Sequence, residues 1–131
     1  PITGGDVLLD RKQGCTIWST EEVLAFFARE FQARHYSVSR IVHITEVAGV
    51  LDLNGQVLPT ITPATWPEFQ TAIGRTKGFD VTGGMQLKVQ ESIDLLAHHV
   101  ESYILSGLEK DNVYRALTGG KWVGTRVCER A

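Results

Sequence analysis

Three shortages bound this chain before any motif is considered. Positive charge is not in excess: 13 Lys and Arg face 15 Asp and Glu, a formal net charge of -2 over 131 residues. No basic field is present to gather nucleic acid, so a nucleic-acid partner is not expected. No apolar run approaches the length needed to cross a bilayer and no signal peptide is visible, so no membrane partner is expected either. Cysteine is scarce: Cys15 and Cys128 lie far apart and outside any CxxC. That fits a reduced, cytoplasmic setting and leaves a single disulfide open.

Familiar catalytic signatures are also missing. There is no nucleophile elbow, no Walker A sequence and no zinc pattern. His35, His43, His98 and His99 have no metal-ligand spacing with Cys, Asp or Glu, and no dedicated metal ligand is identified. His98-His99, at the end of an expected helix, suits a partner for the negative end of the helix dipole. Trp18, Trp66 and Trp122 read as packing residues. No repeat, low-complexity tract or linker interrupts the chain.

What is present describes one globular domain. Hydrophobic residues make up 43% and charged residues 21%, both ordinary for a soluble protein with a core. The chain opens at Pro1 and almost at once reads as a strand, pointing to processing, an artificial boundary or a missing upstream part. Two short strands, within Ile2 to Asp10 and at "CTIW", flank the turn "RKQG". Ser19 or Thr20 caps a helix with Glu21 and Glu22 in its first turn. Val23, Leu24, Phe27 and Phe31 give it a helical apolar period that fades near His35.

Val38 to Thr45 reads as a strand, and "VLDLNGQVL" as a second hairpin with Asn54-Gly55 in a type I′ turn. "PTITPATWP" reads as a loop, with a short helix from Trp66-Pro67 through Ile73 and a flexible connection at "GRTKG". Thr82 caps a helix to about His98, with Met85, Val89, Ile93 and Leu96 near one face. "VESYILSG" is a strand, "EKDNVYRAL" a helix ended by Gly119-Gly120, and "WVGTRV" a final strand. Strands alternating with helices predict a three-layer α/β sandwich with a mostly parallel central sheet.

Four segments could carry chemistry. In "DVTGGMQLK", glycines ahead of a helix let backbone N–H groups converge on one point, where the helix N-terminus adds partial positive charge. Lys88, about one turn inside, can reach back to a phosphate as a point charge. The plainer reading is a turn and a cap. "WSTEE" is either an N-cap with acidic first-turn residues or a carboxylate, Glu21, that organises cations near a transferred phosphate. "ITEVAGV" ends a strand at Thr45 and Glu46 and turns through Gly49, at the end of a sheet where ligands bind in open α/β folds. "GGDVLLD" puts Gly5 and Asp6 at a strand start, where a hairpin or bulge also accounts for them.

In order, "GDVLLD", "WSTEEVLAFFA", "ITEVAGVLDLNGQVLPTIT", "DVTGGMQLKV" and "ALTGGKWVGTRV" resemble the C-terminal half of the amino acid kinase superfamily, on its isopentenyl phosphate kinase branch. The resemblance spans nearly the whole chain. It implies that residues 1–131 form the nucleotide-binding lobe, with the N-terminal acceptor lobe absent from this chain. The implied reaction moves the γ-phosphoryl of ATP, with Mg2+, to a small phosphorylated acceptor, isopentenyl phosphate. By position, Gly83, Gly84 and Lys88 match the ATP-phosphate loop and its lysine, and Thr45, Glu46, Val47 and Gly49 the nucleotide-side turn. Glu21 stands for the carboxylate that organises catalytic lysines, and Gly5 and Asp6 for a glycine-aspartate near the substrate phosphate. The implied partners are the missing N-terminal half or a second copy of the chain. The alternatives are a kinase for another acceptor, such as a phosphonate, or a noncatalytic nucleotide-binding or dimerisation module.

Overall fold

The computed structural model describes residues 1–73 and 84–130. The chain divides into two compact units, Pro1–Val38 and Ser39–Ala131.

In the first unit, strands β1 (Asp6–Asp10) and β2 (Gly14–Trp18) pair antiparallel, with Leu8 opposite Thr16. The Asp10 carboxylate closes their turn by accepting the Lys12 and Gln13 N–H groups at 2.8 and 2.7 Å, which lowers its pKa, Gln13 contributing more. Gly14 follows at φ +81°, the left-handed region where a Cβ is penalised. Helix α1 (Thr20–Ala33) starts from a full capping box: Glu22 N–H donates to the Ser19 hydroxyl, and Glu22 Oε2 accepts from Ser19 N–H. It ends in a Schellman pattern, with His35 left-handed at φ 65°, His35 N–H on the Gln32 carbonyl and Tyr36 N–H on the Phe31 carbonyl. The helix therefore fades where the sequence places its end. Its buried face follows the expected period only in part: Val23 is buried and Leu24 and Phe31 are part-buried. Val23, Ala25 and Ala28 are buried, whereas Phe27 stays half-exposed in a run of ring contacts from Trp18 through Phe26, Phe27 and Phe31 to Tyr36.

The second unit holds a four-stranded sheet, β3 (Arg40–Thr45), β5 (Glu101–Ser106), β6 (Thr125–Val127) and β4 (Thr60–Ile61), in that spatial order. The β3–β5 and β4–β6 pairs are parallel and β5–β6 is antiparallel, so the sheet is mostly parallel as predicted. Helices are α2 (Trp66–Ile73), α3 (Gly84–Leu95), continued by a 3₁₀ turn at Leu96–His98, and α4 (Asn112–Thr118). Alternation along β5 divides the layers. Ile104 joins a buried cluster with Val50, Ile61, Trp66, Val89, Leu96 and Val127, on the side of α2 and α3. Tyr103 and Leu105 join Ala116 of α4 on the other side. Covered on both faces, β5 is buried continuously from Ser102 to Ser106, as in buried parallel sheets. Arg126 ties β6 to the start of β5 with two bonds to the Glu101 carboxylate at 3.0 and 2.7 Å, which raise its pKa.

Met85, Val89, Ile93 and Leu96 all meet the first cluster, as the helical period predicts. Trp66 is buried and Trp122 stacks on Tyr103 with ring centroids 4.5 Å apart, so both are packing residues. Three expectations change. The "VLDLNGQVL" hairpin forms a single Leu51–Val57 bridge, not paired strands. Its turn is not type I′, because Asn54 has no positive φ. Instead Gly55, at φ +77°, donates to the Asp52 carbonyl, and the Asp52 carboxylate accepts Asn54 and Gln56 N–H, the pattern of a three-residue loop. The "PTITPATWP" loop contains β4. And the helix expected to about His98 is α-helical only to Leu95; a 3₁₀ turn continues it to His98, which stands in the last turn where a dipole partner is expected, and His99 at φ 58° is the left-handed stop, with Val100 N–H on the Leu95 carbonyl. Among the described residues no helix is long and apolar enough to cross a membrane.

Candidate functional site

The carboxyl ends of β3 and β5 lie side by side, with Thr45 opposite Ser106. Parallel strands bring their following loops to one end of the sheet, where ligands bind in open α/β folds. The turn after β3 is held from both sides. Thr45 Oγ1 donates to the Val47 carbonyl at 2.8 Å, with the Leu105 carbonyl as a second acceptor at 3.3 Å. Ser106 Oγ bonds the Glu46 carbonyl at 3.4 Å and accepts Leu108 N–H at 3.1 Å, and Gly107 N–H reaches the Thr45 carbonyl at 2.9 Å. Glu46 is exposed on this framework.

Gly49 closes the turn for a packing reason. A Cβ there would lie 2.8 Å from the Thr125 hydroxyl and 2.9 Å from a Val57 methyl. The same Thr125 hydroxyl accepts Val50 N–H at 2.8 Å, in a fully buried position. Gly124, just before it, has no room for a Cβ either: the Ile104 carbonyl would be 2.5 Å away. Asn112, buried at the start of α4, fixes this approach by donating to the Val123 carbonyl at 2.8 Å and accepting Val123 N–H at 2.9 Å. Two motif pieces far apart in sequence, "EVAG" and "VGT", thus form one packed contact.

Helix α3 presents the basic candidate. Gly84 is its first residue and Lys88, half-buried, lies one turn further. Lys88 is fixed around the helix axis by its neighbour Val89, which is fully buried, and the Lys88 carbonyl accepts the Ser92 hydroxyl at 2.7 Å. Val89 shares its cluster with Val50, which follows the Gly49 turn, so the turn and α3 are built on the same core. Trp66 Nε1 donates to Gln90 at 2.9 Å and pins α3 to α2. Gly83 and the Thr82 cap fall outside the described residues.

In the first unit, Gly5 N–H donates to Thr20 Oγ1 at 2.8 Å, and a Cβ on Gly5 would meet the Trp18 carbonyl at 2.8 Å. Asp6 is exposed, and its carboxylate accepts Val7 N–H at 2.7 Å. The capping box uses Glu22, so Glu21, half-buried in the same turn, is not the capping carboxylate. Sequence reasoning gave no part to Ser106, Asn112 or Thr125. "SG" after a strand and "GT" in the last strand were the local signals for Ser106 and Thr125, and Asn112 had none. Among the described residues no group of three or more His, Cys, Asp or Glu side chains could hold a metal ion.

Comparison with known proteins gives this arrangement a context. Isopentenyl phosphate kinase of Methanocaldococcus jannaschii is 28% identical over 120 residues, covering 91% of this chain and 42% of that protein. Isopentenyl phosphate kinase of Haloferax volcanii is 34% identical over 95 residues, covering 72% of this chain and 36% of that protein. A solved isopentenyl phosphate kinase structure superposes with a TM-score of 0.64 at 25% identity, over 93% of this chain and 42% of that one. The chain therefore spans less than half the length of these relatives. The Amino acid kinase family is matched over residues 1–106, most of the chain: this chain belongs to the amino acid kinase family.

Proposed function

We propose that this chain is the nucleotide-binding lobe of a small-molecule kinase that transfers the γ-phosphoryl of ATP to a phosphomonoester, with isopentenyl phosphate as the acceptor. The observation that carries the reading is Lys88, held one turn into α3 on a core shared with the turn that follows β3. The names of the relatives above support isopentenyl phosphate as that acceptor. In this reading the backbone N–H groups of Gly83 and Gly84 and the positive end of α3 face the nucleotide phosphates. Lys88 stabilises charge on the β and γ phosphates. Thr45, Glu46 and Val47 face the nucleotide, and Gly49 lets that turn close on Thr125. Glu21 orients cations supplied by the N-terminal acceptor lobe, and Gly5 and Asp6 lie toward the substrate phosphate. Magnesium, which neutralises phosphate charge in such reactions, is commonly carried on substrate phosphates with only one or two carboxylates, and the described residues offer no protein cage for it. A cytoplasmic setting belongs to the same proposal.

Phosphoryl transfer depends on charge positioned around the whole transferred group, so this lobe works with a second lobe that holds the acceptor. One observation favours the noncatalytic module instead: the "STEE" segment is engaged as a capping box, a sufficient reason for Ser19 and Glu22. Calorimetric titration with ATP of the native chain and of Lys88→Ala decides for or against the phosphate role. Loss of a hydrogen bond to a charged group is expected to weaken binding by about 1.5–3 kcal/mol. Equal affinities would overturn the reading of α3 as a phosphate site.

A further inference from the structure

We propose that the outer face of the β1–β2 hairpin is the docking surface for the complementary part of an amino acid kinase fold, the part that the longer relatives carry and this chain does not match. The inference rests on reading this chain as one lobe of such an enzyme.

Cross-strand pairing sets Val7 opposite Ile17 and Leu9 opposite Cys15, so these four share one face. Val7 is 62%, Leu9 93% and Ile17 80% exposed, and Cys15 is exposed as well. The opposite face carries Leu8 and Trp18, and the Trp18 ring reaches Phe26 of α1 at 5.3 Å. A hairpin with one solvated face is expected to turn polar side chains outward. Here the reverse holds: Asp6 and Asp10 share the face of Leu8 and Trp18, and the outer face has no charge. A surface of that kind matches an apolar partner and no charged one.

Two strands alone are marginal in water and gain stability from further strands or a covering layer. Among the described residues β1 and β2 pair only with each other. The matched stretches are 42% and 36% of the two archaeal relatives, so more than half of each lies outside the match. That remainder is large enough to supply a covering layer, and a permanent apolar contact is what a core divided between two lobes requires.

Cys15 lies on the face in question while Cys128 is buried, so maleimide labelling of Cys15, mapped by mass spectrometry, reports cover of the face. The unmatched part of the M. jannaschii isopentenyl phosphate kinase is joined to this chain in one polypeptide, and separately co-expressed with it. Cys15 is expected to label at least about tenfold more slowly in the joined protein than in the 131-residue chain. Leu9→Asp with Ile17→Asp, both at exposed positions that the chain's own fold tolerates, is expected to restore fast labelling and to abolish co-purification. Equal labelling rates would overturn the proposal. So would slow labelling in the chain alone with a dimeric mass, which would give the face to a second copy. An insoluble joined protein also counts against it, since cover of the face should make that protein the more soluble of the two. Labelling is done without nucleotide. Protection of Cys15 without ATP affinity sinks only the nucleotide reading, and ATP affinity with Cys15 open sinks only this one.

Discussion

Two apolar tetrapeptides, "VLLD" in β1 and "YILS" in β5, meet opposite fates. In Ser39–Ala131, Tyr103, Ile104 and Leu105 are all buried, because α2 and α3 cover one face of β5 and α4 the other. In Pro1–Val38, Val7, Leu8 and Leu9 are all exposed, because one helix serves a two-stranded hairpin. Apolar content alone does not decide burial; the number of layers available does. The second unit closes its own core. The first has only Val23, Ala25 and Ala28 buried, all small or mid-sized, while its aromatic rings remain partly in water.

The same deletion made in both units tests this most severely. Leu105→Ala removes a side chain with 0% exposure and is expected to cost about 2–5 kcal/mol in urea unfolding. Leu9→Ala, at 93% exposure, is expected to change stability by less than about 0.5 kcal/mol. Similar costs at the two positions would break the comparison. A smaller effect sharpens it. Asn112→Ala leaves the Val123 N–H and carbonyl without their side-chain partner and is expected to cost about 2 kcal/mol. The near-UV circular dichroism of the Tyr103–Trp122 stack should change with it.

The smallest effect is one in which the units should agree. Asp10 and Asp52 each accept backbone N–H groups within an exposed turn, and each pKa is lowered from 3.8, chiefly by the bond from Gln13 and Gln56 respectively. A carboxylate with a depressed folded pKa contributes stability that is present above the unfolded value and lost as pH falls through the folded one. Asp10→Asn and Asp52→Asn should therefore each remove a little of the acid sensitivity below pH 3.8 and leave its slope near neutrality unchanged, as read in acid titrations of the unfolding midpoint. A large effect from either would mean that its turn supports more than itself.

What was legible in the sequence was local and periodic. The apolar face of α3 follows from spacing alone, because a helix that packs on a sheet must bury residues three and four apart. Helix α2 was legible because Pro67 follows Trp66 at the first turn, where proline needs no donor. Strand β4 was not, since Thr60 and Ile61 become a strand only by pairing with Arg126 and Val127. The Asn54-Gly55 dipeptide suits either turn, and the Asp52 carboxylate chooses between them. The site follows the same division. Lys88 could be placed from its helix position. The reason for glycine at 49 could not, because its neighbour is Thr125.

The bond from Val50 N–H to the Thr125 hydroxyl joins residues 75 positions apart. Strand β4 waits on the same late segment, through Ile61 and Val127. A growing chain therefore makes Thr45 to Gly49 long before it makes the residue that closes them. Until the ribosome has passed Thr125, that turn has no acceptor for its closing amide and β4 has no strand to join. Loop closure over such a span carries an entropy cost that grows only slowly with length, about 0.6 kcal/mol per doubling, so the delay is one of order rather than of energy. Thr125 and Val127, made late, act as the keystone that fixes the turn after β3 and strand β4 in the sheet.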